Sequence, residues 1–379
     1  MHIEISAPRI AGILIILCIY WSFLPAQEQV PPIRIMFWNV ENLFDIYNDP
    51  LTSDDDFLPD GVMRWNYSRY NRKINSVYKV ITAAGGWDPP AIVAFCEVEN
   101  RKVIEDLIDN TYLSGYGYEI VHEESPDERG IDVCLIYRKS VVNIPYFKYL
   151  TPERVTCYTS RSVLYARCVI MKDTINLFVN HWPSRRGGVL AGESLRLDIS
   201  DMVRNAADSL DALSGRLSKT IILGDFNCVP EDHAIERLVK GRDSDKTGEC
   251  GFLLVNLAET AASGGHGTYR YRGIWEMLDQ IIVSPWLTGC KSGLTADKGG
   301  FRIFRPDFLL KTDPAYPGTT TFSTYRGYRY QGGFSDHLPV LLDLDLVQEG
   351  QLDPDQALCL FPACIFWQLR GHLVSGRQE

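Results

Sequence analysis

Short apolar runs recur along this chain, and one after another they end on a polar side chain able to do chemistry. Ile33–Trp38 runs into Asn39-Val40-Glu41-Asn42, and Ala91–Cys96 runs into Glu97-Val98-Glu99-Asn100. Ile175–Val179 leads to Asn180-His181-Trp182-Pro183-Ser184-Arg185-Arg186-Gly187-Gly188, and Thr220–Leu223 opens onto Gly224-Asp225-Phe226-Asn227. Asp279 sits inside the otherwise apolar Met277–Val283, and Gly332-Gly333-Phe334-Ser335-Asp336-His337 enters Leu338–Leu344. Runs this short, rich in β-branched and aromatic residues, read as buried strands. A fold for this chain must therefore bury many strands while leaving their ends open.

Further β-rich stretches cover Ile131–Tyr137 and Val163–Met171. Between them lie helical periodicities. Tyr70, Ile74, Val77 and Ile81 share one face, as do Leu195, Ile199, Met202, Ala206, Leu210 and Leu213, with Gly215 as the stop. Strands interspersed with amphipathic helices predict two layers of sheet covered by helices, an α/β (α+β) architecture. No repeat, low-complexity block or Pro/Ser linker divides the 379 residues. One catalytic-size domain over residues 30–347 is expected, with a tail of undefined role over 348–379. Hydrophobic residues at 45% and charged residues at 23% match globular usage and exclude wholesale disorder.

Ile10–Tyr20 is apolar but shorter than the roughly 20 residues that span a bilayer. It suits a secretory signal over residues 1–26, with cleavage after Ala26, and so predicts export to the periplasm or medium. A retained N-terminal anchor is the alternative. Leu17 before Cys18 is not the small residue that lipid attachment requires. Of ten cysteines, Cys96, Cys134, Cys168 and Cys228 fall in apolar stretches and read as small buried hydrophobes, and no disulfide framework is legible.

An ionised carboxylate beside apolar strand residues costs several kcal/mol unless it is paired or holds a metal, about 3–5 kcal/mol when a partner is missing. Strand ends carrying Asn, Glu, His, Asp-x-Asn, Asp and Asp-His describe an oxygen-rich site for a hard divalent ion, with acid and base groups beside it. Zinc-type Cys/His spacing is absent, so Mg²⁺ (or Mn²⁺) is favoured. The net charge of -10 argues against a broad basic surface, which leaves local arginines or a cation to hold any phosphate.

The strings MFWNVENLFD, FCEVEN, RGIDVCLIYR, VNHWPSR, LGDFN, LDQIIVS and GGFSDHLPV, in this order, resemble the endonuclease/exonuclease/phosphatase superfamily over roughly Ile33–Leu346. The resemblance implies a DNase-like four-layered sandwich, two mixed β-sheets packed face to face between helices. It implies that Glu97 binds metal and that Asn39 supports the metal or a phosphate oxygen. Asp225 and Asn227 match the pair that positions and activates the attacking water. Asp336 resembles a carboxylate beside a possible second metal position. His337 matches the histidine on the scissile phosphate, and Asp279 its orienting carboxylate. His181 occupies the slot of a histidine that protonates or stabilises the leaving oxygen. Asp132 lies near this set by analogy, whereas His122, His233 and His266 fall outside the matched strings and read as surface or core histidines.

The expected activity is hydrolysis of a phosphodiester by a metal-assisted water, in an exported nuclease acting as a monomer without a stable protein partner. Arg185 and Arg186 follow His181, and Arg326 and Arg329 alternate with tyrosines ahead of Asp336. Arginine grips phosphate and tyrosine stacks on bases, so these four are the candidate substrate-binding residues and nucleic acid the favoured substrate. A solvated hairpin is the plainer reading of Arg326 and Arg329. Alternatives are a lipid or small-molecule phosphodiesterase of sphingomyelinase type, a phosphomonoesterase, and last a non-catalytic binding module.

Overall fold

A computed structural model of the chain describes residues 31–153, 155, 158–185, 192–241, 253–290 and 292–347. The expected export segment and the 348–379 tail lie outside the described residues. Two six-stranded mixed sheets form the body. The first contains β1 (Ile33–Leu43), β2 (Ile92–Val98), β3 (Tyr118–Val121), β4 (Asp132–Arg138), β11 (Gly293–Ile303) and β12 (Val340–Val347), in the order β11-β12-β1-β2-β4-β3. The second contains β5 (Val142–Leu150), β6 (Val163–Ile170), β7 (Asp173–His181), β8 (Lys219–Asp225), β9 (Val255–Asn256) and β10 (Asp279–Val283), in the order β5-β6-β7-β8-β10-β9.

Successive side chains in a strand face opposite ways, and the sequence uses both faces. Ile35 and Phe37 of β1 and Ile221 and Leu223 of β8 enter the core between the sheets. Met36 and Trp38 turn outward onto Ile74, Val77 and Ile81 of helix α1 (Tyr67–Gly85), joined by helix α2 (Arg101–Asp109). Phe178 and Ile222 turn outward onto Ile199, Val203 and Ala207 of helix α3 (Glu193–Leu213), with helix α4 (His233–Lys240) beside them. Each fully buried aliphatic side chain contributes about 1.5–3 kcal/mol. The result is the expected sandwich of two sheets between helices. Cys96, Cys134, Cys168, Cys228 and Cys290 are buried and unpaired within it.

Helix α3 departs from its apolar pattern. Its buried positions include Arg196, Ser200, Arg204 and Asp211, while Leu213 is 86% exposed. Polar anchoring replaces part of the predicted stripe: Ser200 Oγ donates to Ala234 O, and Arg204 donates to the carbonyls of Leu238 and Val239 at the end of α4. These carbonyls have no acceptor role inside α4, so the docked arginine, with the Leu254 N–H on Val239 O, satisfies groups that a helix end leaves open.

Topology decides where the chemistry falls. Each sheet has one parallel pair, β1–β2 spanned by α1 and β7–β8 spanned by α3. The C-terminal ends of these four strands carry Asn39, Glu97, His181 and Asp225. The antiparallel neighbours β10 and β12 begin at the same edge, which adds Asp279 and, just before β12, Asp336 and His337. Carboxyl ends of parallel strands are where open α/β sheets bind ligands.

Candidate active site

Asp225 is the centre of the constellation. Asn39 Nδ2 donates to Asp225 Oδ2 (3.0 Å) and to Glu97 Oε1 (3.3 Å), bridging the ends of the two sheets. His181 Nε2 and His337 Nε2 each lie 3.8 Å from Asp225 Oδ2. The other oxygen of Asp225 accepts the Asn227 N–H at 2.9 Å, and Asn227 Nδ2 donates to Trp182 O. His337 Nδ1 stands 2.7 Å from Asp279 Oδ2. Thus Asn39, Glu97, His181, Asp225, Asn227, Asp279, Asp336 and His337 are brought to one edge, and all but Asn39 and Asp279 line the same cavity of about 560 Å³.

Backbone strain gathers at this edge. Glu41, Asn42, Glu97 and Asn227 all have positive φ, between 49° and 61°. Asparagine tolerates that region, but glutamate adopts it at a cost of about 1–3 kcal/mol. The strain coincides with irregular pairing of β1 with β2 between Asn39 and Leu43 and of β2 with β4 between Cys96 and Val98. These irregularities carry Glu97 to the cavity, where its Oε2 accepts the Asn42 N–H. Gly224 is required for a different reason: a Cβ there would stand 2.2 Å from Asn180 O, blocking the pairing of β7 with β8 just before Asp225.

The two imidazoles are driven to opposite charge states. Burial lowers His181 well below the usual histidine range, reinforced by the positive charges of Arg161, Arg129 and His337. Burial also opposes charge on His337, yet Asp279 and Asp225 outweigh it and raise His337 well above that range. Burial pushes Asp225 up to about 7, Asp279 adds to the rise, and His337 with the Asn227 and Asn39 donors opposes it. Glu97 ends below its ordinary value because Arg129, His337 and its hydrogen bonds overcome burial. Separated proton affinities in one cleft are what acid–base chemistry at neutral pH requires.

The structure also places residues that sequence reasoning passed over. Arg129, from the quoted RGIDVCLIYR string, lines the cavity, as do Tyr269, Tyr271 and Glu276 of the short hairpin before β10. The Tyr269 ring packs on His337 with centroids 4.8 Å apart. Lys73, buried on α1, donates to Thr324 Oγ1 and Phe334 O, while Glu41 accepts the N–H groups of Thr324 and Tyr325. That pair tethers the segment leading to Asp336.

The candidate arginines separate into different settings. Arg185 lines the cavity, but its guanidinium is held by Asp232 (2.9 Å), Glu276 (3.6 Å) and Asn227 O. Arg186 lies outside the described residues. Arg326 and Arg329 do not line the cavity; they face each other across a hairpin of two-residue strands and are exposed. Tyr325, their neighbour, is consumed in packing against Trp65, Phe57 and Tyr330. The expected arginine–tyrosine wall is therefore a solvated hairpin.

Donor chemistry fits a hard divalent cation. Asp279 Oδ1 is buried without a hydrogen-bond partner, and Asp336 is raised by burial and by the negative charge of Glu97. Ligand atoms of Asp225, Asp279 and His337 lie within 4.8 Å of one another, as do those of Cys96, His181 and Asp225. Burial holds the Cys96 thiol far above its ordinary value, so it stays protonated and is no ligand for such an ion. The same cavity presents the carboxylates of Glu97 and Asp336, with Asn39 bonded to Glu97, and these are oxygen donors of the kind such an ion takes.

Glu99, two residues past Glu97, makes a separate prediction about stability. Burial, followed by the charges of Asp45, Asp54 and Asp49, lifts it from 4.5 to about 8 against the Asp45 N–H bond. The folded chain then binds this proton more tightly than the unfolded chain. The stability it supports is complete below about pH 4.5 and is lost as pH rises towards 8. Glu99→Gln should raise the melting temperature relative to wild type at pH 8 and leave it nearly unchanged at pH 4.5. Equal offsets at both pH values would remove Glu99 from the account.

Fold and site together define a metal-dependent phosphoesterase, with carboxylates, a carboxamide and two unlike histidines at the open end of a double sheet. The Endonuclease/Exonuclease/phosphatase family profile matches residues 34–346, and the chain belongs to that family of hydrolases. Among solved structures, an endonuclease/exonuclease/phosphatase from Bacteroides vulgatus is similar at TM-score 0.51 and 15% identity, over 84% of this chain and 100% of that one. The Bacteroides thetaiotaomicron mannosyl-6-phosphatase is similar at TM-score 0.50 and 14% identity, over 82% and 99%. A humanized D. rerio TDP2 gives TM-score 0.50 and 14% identity, over 83% and 98%. At these identities the likeness establishes the fold. No curated protein sequence matches the chain.

Proposed function

We propose that this chain is an exported, Mg²⁺- or Mn²⁺-dependent phosphodiesterase whose substrate is nucleic acid. The observation that carries the hydrolytic part is Asp225, whose Oδ2 lies 3.8 Å from both His181 Nε2 and His337 Nε2 while Asn39 and the Asn227 N–H donate to its carboxylate. Asp225 accepts a proton from water while Asn227 and Asn39 hold its carboxylate in place. His337, kept cationic by Asp279, stabilises charge gathering on the phosphoryl oxygens. His181 donates a hydrogen bond to the leaving oxygen rather than storing a proton, because its surroundings hold it neutral. Glu97 and Asp336 would hold a divalent cation, which when bound would supply Lewis-acid stabilisation of the phosphoryl group.

Tyr269 and Tyr271 support the nucleic-acid part. They line the cavity beside His337, and Tyr271 is 50% exposed, so a base can stack there. The apolar run Ile10–Tyr20 supports export. A phosphomonoesterase acting on a small sugar phosphate is the second reading. It is favoured by the absence of Arg326 and Arg329 from the cavity walls, and the similar mannosyl-6-phosphatase shares the fold.

Purified protein tested on DNA, RNA, sphingomyelin, hexose 6-phosphates and bis-p-nitrophenyl phosphate separates these readings. EDTA should silence turnover, and Mg²⁺ or Mn²⁺ should restore it. Tyr271→Ala should raise KM for oligonucleotides about tenfold, the ~1–3 kcal/mol worth of one stacked base, and leave bis-p-nitrophenyl phosphate unchanged. Turnover that survives chelation would reject the metal chemistry, and exclusive cleavage of hexose phosphates would reject the nucleic-acid reading.

A further inference from the structure

A second cluster of metal-capable side chains lies apart from the catalytic cavity. His122, Glu124 and Asp132 bring one imidazole nitrogen and two carboxylate oxygens within 4.8 Å of one another. His122 directly follows β3 and Asp132 opens β4, its antiparallel neighbour, so strand pairing closes the intervening loop and delivers both side chains together. His122 Nε2 is 3.1 Å from Asp132 Oδ2, both side chains are buried, and Asp132 Oδ1 accepts the Ser125 N–H.

A buried histidine–aspartate pair alone is a common structural element, and it explains His122 and Asp132. It does not explain Glu124. That carboxyl lies within 4.8 Å of the Asp132 carboxyl and 4.0 Å from His122 Nδ1. Among the described residues, the salt bridges of Glu124 and Asp132 are to His122 alone. Two carboxylates facing each other beside one imidazole repel unless a proton or a cation joins them, and a divalent cation satisfies all three groups at once.

The donor set selects the ion. One imidazole with two carboxylates suits Zn²⁺ or Mn²⁺, whereas Mg²⁺ prefers oxygen donors and retains its water. We propose that His122, Glu124 and Asp132 form a second divalent-cation site, specific for a transition ion of the Zn²⁺ or Mn²⁺ kind. This site is a clasp on the loop between β3 and β4. Arg129, which lines the catalytic cavity, belongs to that loop, and Asp132 pairs with Val98 beside Glu97. An ion there holds both ends of the loop and fixes the approach of Arg129. The inference stands on these residues and does not depend on which phosphate ester is cleaved.

The test is Mn²⁺ and Zn²⁺ titration of the chelator-treated full chain, read by calorimetry and, for Mn²⁺, by electron paramagnetic resonance. Glu97→Gln weakens the catalytic-edge site and leaves the second one visible. The Glu124 side chain is 62% exposed, so Glu124→Gln removes its charge without disturbing the core. The expected result is that Glu97→Gln retains one Mn²⁺ or Zn²⁺ site, that adding Glu124→Gln weakens it at least tenfold, and that Mg²⁺ does not compete for it. Unchanged Mn²⁺ and Zn²⁺ binding after Glu124→Gln would overturn the assignment. So would the absence of any binding to the Glu97→Gln variant.

Discussion

Replacing Asp225 with Asn is expected to lower kcat by about 10⁴-fold, the upper range for loss of a positioned acid–base group. The substitution preserves size and its one amide oxygen can still accept the Asn227 N–H, while its NH2 replaces the oxygen that accepts from Asn39; it removes the proton acceptor. The loss corresponds to about 5.5 kcal/mol of transition-state stabilisation. It should fall on kcat with little change in KM, because Asp225 acts on water and not on substrate. The acid limb of the pH–rate profile that Asp225 sets should vanish with it. A variant retaining more than a tenth of wild-type kcat would remove Asp225 from the water-activating role.

Asp279→Asn should have the second largest effect, acting through His337. The Asp279 carboxylate, 2.7 Å from His337 Nδ1, is the largest influence holding that imidazole protonated. Without it, burial draws the His337 pKa down. The sign follows: a histidine useful only when charged works below its pKa, so lowering the pKa moves the alkaline limb of the profile to lower pH. At pH 8 the expected loss is about 10²–10³-fold, the scale of one missing charge-stabilising donor. At pH 6 much of it should return. His337→Ala should lose activity at both pH values with no such recovery. A pH-independent loss in Asp279→Asn would mean that Asp279 merely packs there.

What could be read from the sequence followed the strands. A buried strand announces itself by an unbroken apolar run, and the polar residue that ends it sits at a predictable place in space once the sheet is parallel. Asn39, Glu97, His181 and Asp225 were legible for that reason. Helix α3 was harder. Its apolar stripe through Leu213 suggested one buried face, but Arg196 and Arg204 capture carbonyls of neighbouring segments, and that rotates polar side chains into the interface.

Other parts depended on loop paths that periodicity does not report. Arg326 and Arg329 looked like a phosphate grip because they alternate with tyrosines, yet the alternation belongs to a hairpin that packs its Tyr325 side inward. Arg129 and Tyr269 were hidden because nothing local distinguishes them from surface residues. Lys73 drew no reading from the sequence, and its burial is explained by the tertiary acceptors Thr324 Oγ1 and Phe334 O together with the charges of Glu41 and Asp336. A lysine one position before Ile74 on the apolar face was the available signal.

Anomalous diffraction from Mn²⁺-soaked crystals of the full chain tests the central claim most directly. A manganese peak is expected at the shared edge of the two sheets, bonded to the Glu97 carboxylate and lost in Glu97→Gln crystals. Saturating Mn²⁺ with no peak at Glu97, in protein that still cleaves phosphate esters, would contradict it.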